Sequence, residues 1–463
     1  MIREMLMPVV KNRTYVKRIL LLLILAPLLV SSQALTEVEG KMSFDLNAAR
    51  QYARQHNYDI QNSDLAINAA KKQIKEIAAG GFPQISGSAQ YQDFLDIPTQ
   101  LIPGEIFGGE PGSTIPVKFG KPHNATWGVS ANQLIFSGSY FVGLQASKIY
   151  LNLTKQNMER SQLDVAETVT RTYYLILVAE ENLHILEENL KNLQQLHYEV
   201  QESFKEGFVE DTDVKQLQIS VTRLQNTVNT IRQQIEVTYK LLKFQMGLDL
   251  GQEIALIDNL ESILSQVDVP SLLARQFDLH QNIGYRLAST QLSLARANLK
   301  NEKMQFLPVI AGFASYQQNA QRDKFDLFDF DKKWYPTAVV GLNINVPLFS
   351  SGAKLFRVQQ AKIAVKQAEI TRQKAEQGLQ LQYEQARTDL TSNLENYKNA
   401  KANMALAKEV YDVTLEKYRE GVSTSLDLIE VHNQYLTAQS AYITGESQLL
   451  NAKNTMDKLF ENY

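Results

Sequence analysis

The chain has 463 residues, 44% hydrophobic and 21% charged, enough to bury a large core. Lys+Arg 47 against Asp+Glu 50 gives a net charge of −3, which offers no electrostatic case for a nucleic-acid partner. Cys is 0, which excludes disulfides, thiolate chemistry and a lipid-modified N-terminal cysteine, so any membrane attachment must come from the folded chain itself.

Lys11, Arg13, Lys17 and Arg18 precede an apolar run from Ile19 to Val30, followed by Ser32-Gln33-Ala34. The run is short of the roughly 20 residues of a spanning helix, and the small residues fit a signal-peptidase site. Residues 1–34 therefore read as a secretory signal peptide.

A first structural repeat spans 35–276. Phe44-Asp45-Leu46 opens an amphipathic helix that runs to about Ala79 and is stopped by Gly80-Gly81-Phe82-Pro83. A strand follows over 84–97, where Ile85, Gly87, Ala89 and Tyr91 alternate with Gln84, Ser86, Ser88 and Gln90. The segment from Pro98 to Pro122 is rich in Pro and Gly and reads as a loop too broken for a tight hairpin. A second strand over 127–136 alternates Trp127, Val129 and Ala131 with Gly128, Ser130 and Asn132. A long helix over 139–204 carries heptads at Val169, Ile176, Leu183, Leu190, His197 and Phe204, breaks at Glu206-Gly207-Phe208, and is followed by a shorter helix over 211–246 and a connector.

The same order returns over 277–463. Phe277-Asp278-Leu279 matches Phe44-Asp45-Leu46, and Phe306-Leu307-Pro308 matches the helix stop at Gly81-Phe82-Pro83. Strands are expected over 309–317 and 338–347, then helices over 352–419 and 426–460. Between Gly352 and Tyr418 there is no proline and one interior glycine, Gly378, so an unbroken helix of roughly 100 Å is allowed at 1.5 Å per residue. Tyr383, Leu390, Tyr397, Met404, Tyr411 and Tyr418 recur every seventh residue along it as a coiled-coil seam. An internal duplication of this kind fixes the architecture more firmly than any single motif.

Four strands cannot close a cylinder, and an open sheet in lipid leaves unpaired edges. If the strands are membrane strands, other copies must complete the barrel: two chains give eight strands and three give twelve, the first count that leaves room for a conduit. Ser86, Ser88, Ser130, Asn132, Asn343 and Asn345 would then line the interior, and Tyr91, Trp127, Tyr316 and Trp334 would supply an aromatic girdle.

With its signal peptide, its duplication, its strand-to-helix junctions Leu134-Ile135-Phe136-Ser137-Gly138 and Pro347-Leu348-Phe349-Ser350-Ser351-Gly352, and the tip from Tyr418 to Leu428, the chain resembles the outer-membrane efflux proteins of the TolC family. The resemblance covers essentially the whole mature chain. It implies an α+β fold in which a homotrimer forms a 12-stranded transmembrane β-barrel continued by a long periplasmic α-helical coiled-coil barrel. It also implies a passive exit duct in the outer membrane of a Gram-negative bacterium, with no enzyme activity and no cofactor. Its partners would be a periplasmic adaptor and an inner-membrane pump of a tripartite efflux or type I secretion system. Asp427 and Glu430, three apart on the returning helix, match the family's acidic gate, and Tyr418 matches a tyrosine that helps hold the tip closed. Asp427 also stands where an acid caps a helix N-terminus. The turns Glu206, Gly207, Phe208 and Glu420, Gly421, Val422 resemble the adaptor-contacting tips, although any helical hairpin needs such a glycine. The match departs at Ser423, where the best-studied member of the family has a latch arginine, and its first-repeat partners fall on Val221 and Thr222.

The six histidines, His56, His123, His184, His197, His280 and His432, show no i,i+4 pair, so no metal site is read. The alternative function is a non-transport trimeric coiled-coil spacer or surface protein. The polar-faced strand pairs argue against it, because a spacer has no need of them.

Overall fold

A computed structural model describes residues 37–38, 41–327, 329 and 331–463. The signal-peptide reading of 1–34 lies outside them. Two compact units are formed: the described residues up to Phe44 with Glu253–Ile257, and Asp45–Gln252 with Asp258–Tyr463.

The small unit is a three-stranded sheet. β1 (Glu37–Val38) pairs antiparallel with β2 (Lys41–Phe44), and β2 pairs parallel with β7 (Ile254–Leu256), placing Phe44 in a fully buried position. The connector read from sequence thus holds a strand.

The large unit begins with α1 (Leu46–His56) and α2 (Tyr58–Ala79), where one continuous helix was expected. Asn57 makes the break: its backbone is extended, and its side-chain oxygen accepts from the N–H groups of Asp59 and Ile60. Asparagine competes with helical backbone bonding through its own amide, which is why it favours a cap. In the second repeat Asn282 caps α7 (Ile283–Met304) in the same way, and α2 and α7 both have 22 residues. The second-repeat helix therefore starts at Ile283 rather than at Phe277. Asp278 holds a turn by accepting from the N–H of His280, and α1 has no counterpart.

After α2 come β3 (Gln84–Asp93), a hairpin of β4 (Thr99–Pro103) and β5 (Thr114–Lys118), and β6 (His123–Phe136). β3 stops at Asp93, short of 97, and β6 starts before 127. The Pro/Gly-rich segment is not a plain loop: a 3-10 turn at Gly104–Phe107 links its two strands. Pro103 and Pro116 are tolerated because both strands of an isolated hairpin are edges. β8 (Val309–Arg322) runs beyond 317, and β9 (Tyr335–Asn345) begins and ends earlier than expected, giving way before Pro347. The main sheet has the order β3-β6-β8-β9, antiparallel throughout, so β6 and β8 join the two repeats while β3 and β9 remain open edges.

Two helical hairpins complete the unit. α3 (Gly138–Lys205) turns into α4 (Asp211–Met246); α8 (Ala353–Arg419) turns into α9 (Ser425–Leu459); α5 (Leu260–Ser265) and α6 (Val269–Ala274) lie in the connector. All six seam residues of α8 are buried or half-buried, with Leu390 fully buried, as the heptad requires. In α3 the seam drifts: Val169, Ile176 and Leu190 are buried, but His197 is half-buried and Phe204 is exposed. Leu193, Leu196 and Val200 take over and meet Leu217, Leu224 and Val228 of α4, Tyr411 of α8, and Leu428 and Tyr435 of α9 in one core. A second core joins Val269 to Ala386 and Leu390 of α8 and to Leu449, Ala452 and Met456 of α9. Among the described residues no helix is long and apolar enough to cross a membrane.

Candidate functional site at the hairpin tips and the sheet face

Each hairpin turns on a glycine in the left-handed region, Gly207 at φ 84° and Gly421 at φ 74°. A side chain there would strain the backbone, so glycine is the residue the turn requires. Phe208 N–H reaches back to Ser203 C=O at 3.0 Å, and Val422 N–H to Lys417 C=O at 2.8 Å. Glu206, Gly207, Phe208, Glu420, Gly421 and Val422 are all exposed, leaving two apolar side chains, Phe208 and Val422, in water at the turns.

Both returning helices start with a capping box, Glu210 with Asp213 on α4 and Thr424 with Asp427 on α9. One carboxylate oxygen of Asp427 accepts from the Thr424 hydroxyl at 2.6 Å, from the Thr424 N–H at 3.1 Å and from the Ser423 hydroxyl at 3.5 Å. The Thr424 hydroxyl, followed by its N–H, holds this acid below the ordinary carboxylate range. Asp427 is thus an exposed, persistently charged cap. Glu430 is also exposed, one turn on, where the groove between α8 and α9 is lined by Asn396, Asn399, Asn403, Asn433 and Gln434.

The tips of the two hairpins face each other across a cavity of about 780 Å³. The Ser425 hydroxyl donates to the carboxylate of Asp213, and the Arg419 guanidinium lies 3.8 Å from Glu199 on α3. Tyr418 lines the same cavity, its hydroxyl buried without a hydrogen-bond partner among the described residues and its acidity reduced by burial and then by Asp213. The first-repeat residue opposite this tip is therefore Asp213, not Val221 or Thr222. Val221 packs on the helical core, and the Thr222 hydroxyl bonds its own helix. The signal that could have found Asp213 is the box itself, an acid three residues beyond Glu210. Arg419 and Glu199 carry no local signature, because their meeting depends on how the two hairpins pack.

At the other functional region, strand register sorts the sheet into two faces. Ser86 pairs with Ser130 and Ser130 with Ser315, while Asn132 pairs with Phe313 and Phe313 with Gly341, so Ser86, Ser88, Ser130, Asn132, Asn343 and Asn345 share one face. The Ser86 and Ser130 hydroxyls lie 2.9 Å apart, and Thr126, Asn319 and Thr337 form a hydrogen-bonded row across three strands. Phe313 and Val339 interrupt the polar character; Phe313 lies over Gly341, where a Cβ would come within 2.8 Å of its ring. The opposite face carries Ile85, Tyr91, Trp127, Val129, Tyr316, Val340, Leu342 and Ile344, all exposed. Trp334 stands just before β9, outside the paired strands.

The sequence profile of the outer membrane efflux proteins matches residues 49–248 and 272–460. The outer membrane efflux protein BepC of Brucella suis biovar 1 (strain 1330) is 20% identical over 438 residues, covering 92% of this chain and 87% of BepC. The fold is similar to the CmeC outer membrane channel of Campylobacter jejuni, with a TM-score of 0.70 and 19% identity over 90% of this chain and 85% of that one. It is also similar to the outer membrane protein VceC of Vibrio cholerae, with a TM-score of 0.70 and 14% identity over 89% of this chain and 95% of that one. Having two strand pairs in one sheet, two long hairpins and a profile match across both repeats, this chain belongs to the outer membrane efflux protein family, whose members are channels of the TolC type.

Proposed function

We propose that three copies of this chain close their sheets into a twelve-stranded barrel in the outer membrane, with the helical hairpins forming a periplasmic tunnel. The tunnel is the exit duct of a tripartite efflux or type I secretion system, and a periplasmic adaptor with its inner-membrane pump opens it at the tips. The observation that carries this reading is the four-stranded sheet: among the described residues neither edge strand has a second partner, and nearly all of β3 and β9 is exposed. Such a sheet satisfies its backbone groups in lipid only by pairing with other copies. Its apolar face then meets lipid, and Ser86, Ser88, Ser130, Asn132, Asn343 and Asn345 line the conduit. A spacer protein has no use for this sorting of faces.

At the tips, threefold symmetry turns Asp427 and Glu430 into rings of carboxylates that attract cations and repel anions in a narrow passage. The Ser425–Asp213 hydrogen bond, with Tyr418 packed on the core beside it, holds the two hairpins together, taking the place of the latch arginine absent at Ser423. The exposed turns at Gly207 and Gly421 present Phe208 and Val422 to the adaptor.

The test is single-channel recording in planar bilayers. Asp427→Ala combined with Glu430→Ala is expected to raise conductance and to weaken block by multivalent cations; unchanged conductance and block would remove the gate from the proposal.

A further inference from the structure

Between α3, α4 and α9 lies a cavity of about 290 Å³, separate from the tips and from the sheet. Its apolar wall is Leu186, Leu224, Ile231 and Leu436. Its polar side is rich in donors and holds no carboxylate among its lining residues.

Three groups give this side its chemistry. Gln439 of α9 is almost fully buried; its carbonyl oxygen accepts from Asn189 at 2.9 Å, while its amide nitrogen has no hydrogen-bond partner among the described residues. A buried donor without an acceptor is unfavourable, so a ligand that accepts from it gains a hydrogen bond. His432 is buried against the ring of Tyr411 and makes no hydrogen bond with any described residue. Burial pushes its imidazole down to about 4, so at neutral pH it is uncharged, with one nitrogen free to donate. Arg223 of α4 stands exposed at the rim, and its guanidinium forms no ion pair among the described residues.

We propose that this cavity binds a small aromatic monocarboxylate. An apolar cavity of about 150 Å³ accepts benzene, so the larger volume here holds a ring together with a carboxylate. The ring lies against the four aliphatic side chains. Its carboxylate reaches Arg223, a cation with a geometry suited to it, and accepts from Gln439 or His432. Such a ligand bridges α4 and α9, arms of two different hairpins.

The test is isothermal titration of the full-length protein in detergent with benzoate as the probe and benzyl alcohol as the uncharged control. Saturable benzoate binding is expected, weakened about tenfold by Arg223→Gln and by Gln439→Leu and about tenfold weaker for benzyl alcohol. Arg223 is exposed, so its substitution leaves the fold intact; if Gln439→Leu does not fold, Arg223→Gln and benzyl alcohol decide. Absence of saturable benzoate binding up to its solubility, or equal binding by the Arg223→Gln variant, or equal binding of benzyl alcohol, overturns the proposal.

Discussion

α3 and α8 are repeats of one design, 68 and 67 residues long, each ending at a left-handed glycine, yet they are used differently. α3 buries side chains along most of its length, with Val169, Tyr173 and Ile176 sealed from solvent. α8 buries only Val358, Ala361, Ala386, Leu390 and Tyr411, and leaves Leu355, Phe356, Ile363, Ile370, Leu381 and Leu406 exposed. Burial of apolar surface is the main stabilising term of a fold, and large apolar patches left in water mark interaction sites. One copy of the duplicated helix builds the core of the chain, and the other carries the surface that neighbouring copies cover in the proposed trimer.

The widest gap between the two helices is expected from truncation. Ile176→Ala on α3 should cost about 2–5 kcal/mol, seen as a large fall in melting temperature. Ile370→Asp on α8 should leave the helical content and stability of the chain nearly unchanged and abolish the trimer band of unboiled samples on sodium dodecyl sulfate gels. A trimer band that survives Ile370→Asp would mean that α8 is not an intersubunit surface.

A carboxyl group placed between the two helices sharpens the comparison. Glu446 of α9 is buried, within electrostatic reach of Glu181 on α3 and Lys401 on α8, and burial pushes it up to about 7. Because its folded value lies above the unfolded one near 4.5, its contribution is complete below pH 4.5 and is lost as pH rises through 7. The loss is on the order of 3 kcal/mol. Glu446→Gln should therefore melt higher than the parent at pH 8 and alongside it near pH 4.5; parallel melting curves at both pH values would show that the carboxyl is already ionised in place.

The smallest effect lies at the tips. Thr424→Ala removes the cap of α9 and should cost about 1 kcal/mol, read as faster amide exchange in the first turn of α9. The first turn of α4 should change less, since its own capping box of Glu210 and Asp213 stays in place.

The features legible in the sequence were those set by period and by local chemistry. The α8 seam follows from a heptad, α4 from its glycine stop at Gly247, and the common face of Ser86, Ser130 and Asn132 from alternation, which strand pairing preserves. What was not legible depended on choices made by tertiary structure. Asn57 reads as tolerable inside a helix, whereas in the fold its backbone is extended and its side chain caps α2, so α1 ends there. The pairing of β2 with β7 joins segments some two hundred residues apart, with no periodic signal long enough to announce it. The resemblance sets the tip partners at Val221 and Thr222, whereas the capping box places an acid, Asp213, where Ser425 can reach it.

The open sheet also sets an order in time. Among the described residues the extended apolar cores of the large unit are made largely by helices, whereas the sheet buries little more than Ala125 and Ala320. A lone chain can therefore gather its hairpins first, by contacts largely local to each hairpin. In the proposed trimer its outer strands wait for other chains, since neither has a second partner strand among the described residues. Closure of the proposed barrel is then the late, concentration-dependent step of assembly, and a chain that reaches lipid before meeting its copies arrives with two unpaired edges.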